Sequence, residues 1–198
     1  MLEAIYDNLA EKYDTMYKDP VCLAEDKALF DYLTREVPLF KSVLDIGCGT
    51  GLLLENLMIA SNNYTGIDPS SKSIEIARDK FPLYAKKFNV SKCSDKWFGT
   101  KKYGAILSLY GSPSYIGKEY YHNFIDNLDK GGFCIAIFYA EDYSPKYYTE
   151  EMTKEVHDNI DYNEIEKVFP YTKKWAGKYI VASNRPLDNL KEPEYENL

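Results

Sequence analysis

The chain has 198 residues, 24 basic against 31 acidic side chains, and a net charge of −7. That length supports one sizeable domain with a real core, and the acidic balance argues against nucleic acid as a partner, since a binder of a long polyanion carries a basic footprint. No stretch approaches the roughly 18 apolar residues of a membrane span, the first residues lack a secretory pattern, and Cys22, Cys48, Cys93 and Cys134 match no metal-ligand spacing; the expectation is a cytoplasmic protein with free thiols, no metal and no membrane partner.

Apolar positions at Ile5, Leu9, Tyr13, Met16 and Tyr17 recur at helical spacing, and Leu23, Ala28, Phe30 and Leu33 repeat the habit until Pro38 breaks it. Two helices, over residues 3–18 and 22–36, therefore precede the first strand at 42–46. The apolar run Val43-Leu44-Asp45-Ile46 feeds straight into Gly47, Gly49 and Gly51, with a helix expected from about 51 to 60. Such a strand, glycine turn and helix start lets a ligand approach bare main chain. Cys48, inside the turn with no basic neighbour, reads as a small packing residue rather than a reactive thiol. A second strand at 64–67 leads to Asp68-Pro69-Ser70 and a helix over 71–80, which Ser70 or Ser71 can cap, with Glu75 near the capping-box position. An acid at that place can grip the two hydroxyls of a ribose. Turn and acid together predict a cofactor containing a nucleoside.

Further strands are expected at 87–90, 103–110 and 133–139, with a helix at about 118–128 and a turn at Lys130-Gly131-Gly132. This alternation demands an α/β fold with a parallel sheet and helices on both faces. A short helix at 163–168 is followed by β-rich runs at 172–176 and 179–183 flanking Gly177-Lys178, a hairpin signal that forces an antiparallel strand into the sheet. The tail, 186–198, is polar and acidic, and is expected to be mobile.

The dinucleotide fingerprint G-x-G-x-x-G would need a third glycine where Leu52 stands, and Asp45 would repel a pyrophosphate while suiting a positive or neutral group. Val-Leu-Asp-Ile-Gly-Cys-Gly-Thr-Gly at 43–51 resembles motif I of the class I S-adenosylmethionine-dependent methyltransferases, and Gly66-Ile67-Asp68-Pro69-Ser70 resembles their second motif. The opening Tyr6-Asp7-Asn8-Leu9-Ala10-Glu11-Lys12-Tyr13-Asp14 is similar to the start of members acting on small molecules. The resemblance implies a Rossmann-like seven-stranded sheet, mostly parallel with an antiparallel C-terminal strand, in a single domain: a helical cap over 1–41, a core over 42–185 and the tail. It also implies S-adenosyl-L-methionine as cofactor. Gly47, Cys48, Gly49 and Gly51 would pack against its methionine portion and sugar, Asp68 with Pro69 and Ser70 would take the ribose, and Asp45 would meet the ammonium end. Tyr6, Tyr13 and Tyr17 are pocket candidates from the cap. Cys93 and Ser94 fall at the adenine position, where Lys92 stands in place of the common acid and Asp95 lies close by; Leu109 and Tyr110 follow the fourth strand.

After that strand the family keeps its reaction-specific residues. The run Leu109 to Ile116 has neither the Asn/Asp-Pro-Pro-aromatic signature of nucleic-acid amino methylation nor a nucleophilic cysteine. Methyl transfer is a displacement that needs alignment, exclusion of water and, for a protonated acceptor, a base. His157, in a polar segment suited to a substrate lid, is the general-base candidate, His122 reading as a surface helix residue; Tyr110, Tyr115 and Tyr139 could orient a substrate, and Glu141 and Asp142 could hold a cationic one. The expectation is methyl transfer to a nitrogen or oxygen of a small molecule; an RNA or protein methyltransferase and a non-catalytic S-adenosylmethionine-binding protein are the alternatives.

Overall fold

The computed structural model describes residues 2–37 and 40–195, less the side chains of 2–6, 8 and 13. The described strands form one mixed seven-stranded sheet in the order β3-β2-β1-β4-β5-β7-β6, and the chain divides into two compact units, residues 1–92 with 188–198, and residues 93–187.

The first unit begins with α1 (Leu2–Met16) and α2 (Pro20–Glu36). The α2 helix starts where it does because Asp19 accepts from the amides of Val21 and Cys22, with Pro20 at the first turn. Its apolar stripe, Leu29, Phe30 and Leu33, is buried. β1 (Val43–Ile46) is buried along its whole length, as a central parallel strand must be, and pairs with β2 (Tyr64–Asp68), which pairs with β3 (Phe88–Val90), both in parallel. α3 (Leu52–Asn56) stops short of the expected residue 60. Leu57 and Ile59 are buried while Met58 is 94% exposed, the two-residue alternation of extended chain rather than of helix. α4 (Ser71–Lys80) is capped by Ser70, whose hydroxyl accepts from Ser73 N; Glu75 closes no capping box and instead pairs with Lys72. The tail expected to be mobile is packed through residue 195: Leu190 is fully buried, and the Tyr195 hydroxyl donates to the buried Glu25 at 3.1 Å. Leu187, three residues earlier, is buried too, so two leucines among polar residues anchor the segment.

The second unit holds β4 (Tyr103–Ser108), α5 (Asn123–Asp126), β5 (Leu128–Tyr139), α6 (Glu150–Asn159), α7 (Tyr162–Val168), β6 (Tyr171–Trp175) and β7 (Tyr179–Ser183). The helix expected at 118–128 is reduced to a 3-10 turn and α5, because Asn127 ends it by donating to the carbonyls of Gly99 and Lys101. The expected turn at 130–132 is instead an irregularity inside β5, where the register slips between Tyr103↔Leu128 and Ala105↔Phe133 and Gly131 has φ +77°. The polar segment from residue 150 is helix α6, capped by Thr149. β7 runs antiparallel to both β5 and β6. Its hairpin turns over Ala176, Gly177 and Lys178, one residue more than the expected Gly177-Lys178; Ala176 and Gly177 take positive φ, and Lys178 N donates to Trp175 O at 3.2 Å.

Candidate functional site

The glycine turn is stitched to the neighbouring strand. The amides of Gly47 and Cys48 both donate to Ile67 O, at 2.8 and 3.1 Å. Gly49 and Gly51 lie at φ +52° and +98°, where a side chain would strain the backbone. A Cβ on Gly51 would sit 2.6 Å from the Phe81 ring, so that glycine seats α3. A Cβ on Gly49 would meet nothing within 4 Å; there the main chain borders open space.

Asp68, at the end of β2, is held to this turn. One carboxylate oxygen accepts from Gly49 N at 3.0 Å and the other from Ser70 N at 2.8 Å. Each oxygen keeps a lone pair for a further donor. Burial raises its pKa, with the two amides opposing, and the net displacement is upward. A carboxylate with both oxygens oriented by backbone, beside open main chain, fits a vicinal diol such as a ribose. Ser70 is fully buried and Pro69 is exposed.

Asp45 sits inside the fold, 3% exposed, with one oxygen accepting from the Tyr64 hydroxyl at 2.8 Å. Burial pushes its pKa up to about 7, the Tyr64 bond opposing and the charge of Asp68 adding to the rise. The sequence suggested a carboxylate offered to a cation; the fold supplies a neutral donor from β2. Cys48 is buried and its thiol is held well above the ordinary range by burial and by the Asp45 and Asp68 charges, so its chemistry is inert and its role is packing. Gly66 makes room for this cluster: a Cβ there would lie 2.6 Å from the Tyr64 hydroxyl and 2.9 Å from Cys48 Sγ.

Two residues that the sequence reading passed over reach this site from α1. Asp7 accepts from the Ser70 hydroxyl at 2.6 Å and from Lys72 N at 3.2 Å. Asp14 accepts from the Thr50 hydroxyl at 2.5 Å and from Lys80 Nζ at 2.7 Å, and Lys80 also pairs with Glu55 of α3. Their signal in the sequence is Tyr-Asp repeated seven residues apart, two helical turns on one face. The side chains of Tyr6 and Tyr13 lie outside the described residues, and Tyr17 is half-buried.

The remaining candidates belong to the second unit. Cys93 and Ser94 are half-buried in the loop before β4, where Ser94 O accepts from Trp97 N; burial, with Glu119 and Asp95 adding, pushes the Cys93 thiol up to about 12. Leu109 is buried and Tyr110 takes φ +47°, followed by Gly111 at +81°. A Cβ on Gly111 would fall 2.1 Å from the Tyr139 ring. Rings gather around these positions: Tyr139 stacks on Tyr179 at 6.1 Å, Tyr110 meets Tyr179 edge-on at 5.8 Å, and Tyr115 meets Tyr139 edge-on at 6.4 Å. The hydroxyls of Tyr115 and Tyr148 are in contact. His157, on α6, is engaged at both nitrogens. Its Nε2 lies 2.8 Å from Tyr143 O, an acceptor only, so that nitrogen carries a proton and donates. Its Nδ1 lies 3.2 Å from the hydroxyl of Tyr162, which donates to Tyr139 O. The arrangement ties α6 to the end of β5. His122 is exposed on the surface, 3.3 Å from Glu164.

A family model described as "Methyltransferase domain" matches residues 43–132. An uncharacterized protein of Methanocaldococcus jannaschii is 31% identical over 111 residues, covering 56% of this chain and 40% of that protein. An uncharacterized methyltransferase of Bacillus mycoides is 33% identical over 87 residues, covering 44% and 38%. The chain thus spans about 40% of the length of these curated relatives. Among solved structures, an S-adenosylmethionine-dependent methyltransferase from Clostridium acetobutylicum superposes with a TM-score of 0.53 at 14% identity, over 87% of this chain and 97% of that one; at that identity the likeness is one of fold.

Proposed function

We propose that this chain, whose residues 43–132 match the family model described as "Methyltransferase domain", is a class I S-adenosylmethionine-dependent methyltransferase, a single domain acting in the cytoplasm on a nitrogen or oxygen of a small molecule. The observation that carries the donor half is the Asp68 carboxylate, aimed by the amides of Gly49 and Ser70 beside main chain that borders open space at Gly49. Gly47, Gly49, Gly51 and Asp68 would hold the donor, and Asp45, the acid that precedes the glycines, would meet its cationic end. When bound, S-adenosylmethionine supplies an electrophilic methyl group. The protein's part is to align the acceptor and exclude water.

The acceptor half is supported by composition. Between residues 139 and 162 there are seven carboxylates against two lysines, a field that favours a neutral or cationic acceptor. Tyrosine faces and hydroxyls at Tyr110, Tyr115 and Tyr139 offer apolar area with polar edges. His157 is a tether for α6 rather than a base in this arrangement, so an amine acceptor that arrives unprotonated is the simplest chemistry for the residues present. No described helix is long and apolar enough to cross a membrane.

The reading is tested by thermal shift with S-adenosylmethionine, S-adenosylhomocysteine and NAD, where a larger shift with NAD would sink it. Transfer of a labelled methyl group to a metabolite extract and to total RNA then separates the acceptor classes. Label in RNA alone would replace the small-molecule reading, and binding without any transfer would leave a donor-binding protein.

A further inference from the structure

We propose that Asp7 and Asp14 are positioning residues that couple docking of α1 to occupancy of the donor site. This rests on the donor reading above and adds a means of regulation to it. The two aspartates lie two turns apart on one face of α1, and each grips a residue adjoining a group that would face the donor. Asp14 holds the hydroxyl of Thr50, which is 3% exposed and stands between Gly49 and Gly51. Asp7 holds the hydroxyl of Ser70, whose amide orients Asp68 and whose oxygen caps α4. Lys80 locks the first grip by bridging Asp14 to Glu55, at 2.7 and 2.5 Å, which ties α1, α3 and α4 to one ammonium. Burial would raise the Asp14 pKa, but the Lys80 and Thr50 hydrogen bonds outweigh it and the carboxyl stays ionised.

The consequence is reciprocal. If α1 fixes Thr50 and Ser70, a ligand that needs the ordered turn and the ordered Asp68 must in return favour docked α1, because coupling between two equilibria is the same in both directions. Docked α1 and a bound donor then favour each other through two short chains of contacts: Asp14 to Thr50 to the glycine turn, and Asp7 to Ser70 to Asp68.

The test uses the full chain and S-adenosylhomocysteine as probe. Calorimetric affinity is measured for wild type, Asp7→Ala, Asp14→Ala, Asp14→Asn and Thr50→Val, with hydrogen exchange of the α1 amides recorded with and without the probe. The expected result is that the probe slows exchange in wild-type α1. Thr50→Val, which loses one charge-assisted hydrogen bond, should raise Kd about tenfold, each alanine variant, which loses two, at least as much, and all three should abolish the probe-dependent slowing. Asp14→Asn, which keeps an acceptor for Thr50 and loses the charge facing Lys80, should fall between. Asp14→Ala combined with Thr50→Val should cost no more than Asp14→Ala alone, since Asp14→Ala already removes the bond to Thr50. A lower Tm with unchanged Kd, or α1 exchange indifferent to the probe, would overturn the coupling and leave the aspartates as packing residues. Should Asp14→Ala fail to fold, Thr50→Val reads the same bond from the other side. No binding by the wild-type chain would overturn the donor reading itself, and the coupling with it; binding with unaltered variants overturns the coupling alone.

Discussion

The glycine turn and the tyrosine cluster solve different problems with different forces. Around Gly49 the structure is made of single atoms meeting single atoms: a carboxylate on two amides, a hydroxyl on an aspartate, an ammonium between two acids. Around Tyr139 it is made of ring faces and edges, centroid to centroid at 5.7–6.4 Å, with a few hydroxyl and imidazole contacts at the rim. Directional bonds place charge and can be lost one at a time. Area contacts share their energy among many partners. Substitutions in the first region should therefore read out in ligand affinity, and those in the second in stability.

The largest effect expected is on the ring side. Gly111→Ala puts a Cβ 2.1 Å from the Tyr139 ring at a residue with φ +81°, combining overpacking with backbone strain, and should cost about 4 kcal/mol in urea unfolding. A wild-type midpoint would show that the ring cluster yields easily, against the comparison. Next comes Asp45→Asn. With the folded pKa at about 7, above the ordinary 3.8, stability is highest below about pH 4, falls as pH rises to about 7 and is level beyond, because the unfolded carboxyl ionises first. Asparagine keeps an acceptor for Tyr64 and removes the buried charge, so the donor-free variant should gain about 3 kcal/mol at pH 8 and lose the slope. Denaturation at pH 5 and pH 8 decides it; parallel pH dependence in both proteins would count against a buried, reluctant acid.

Asp68→Ala removes the acceptor shared by Gly49 and Ser70 and should weaken S-adenosylhomocysteine binding about hundredfold by calorimetry, with a smaller change in unfolding midpoint. The reverse pattern would erase the contrast between the regions. His157→Gln should lower stability by about 1 kcal/mol through the lost Tyr143 contact, while the shape of the pH–rate profile stays as in wild type; disappearance of a limb from that profile would restore the histidine as a base. At the bottom of the scale, Lys27→Ala breaks an exposed pair with Asp31 on α2 and should leave Tm where it was, as solvent-exposed ion pairs generally do.

Much of this was legible along the chain. The runs Val43–Ile46, apolar but for Asp45, and Phe133–Tyr139, the glycines between them and the acid at position 68 act locally: each depends on its own backbone period or on a turn that only glycine tolerates. So strand identity, the antiparallel hairpin and the expectation of a nucleoside beside the glycine turn followed from residue order. Helix ends were less legible, because Leu57 and Asn127 stop their helices through burial and through bonds to distant carbonyls. Tertiary structure alone decided that Asp45 turns inward to Tyr64, that His157 is spent on Tyr143 and Tyr162, that Leu190 anchors the tail, and that Asp7 and Asp14 reach Ser70 and Thr50. In each case the partner lies between 5 and 63 residues away in sequence or is a packed core, and a side chain's role is set by the partner it meets, which periodicity and spacing do not encode.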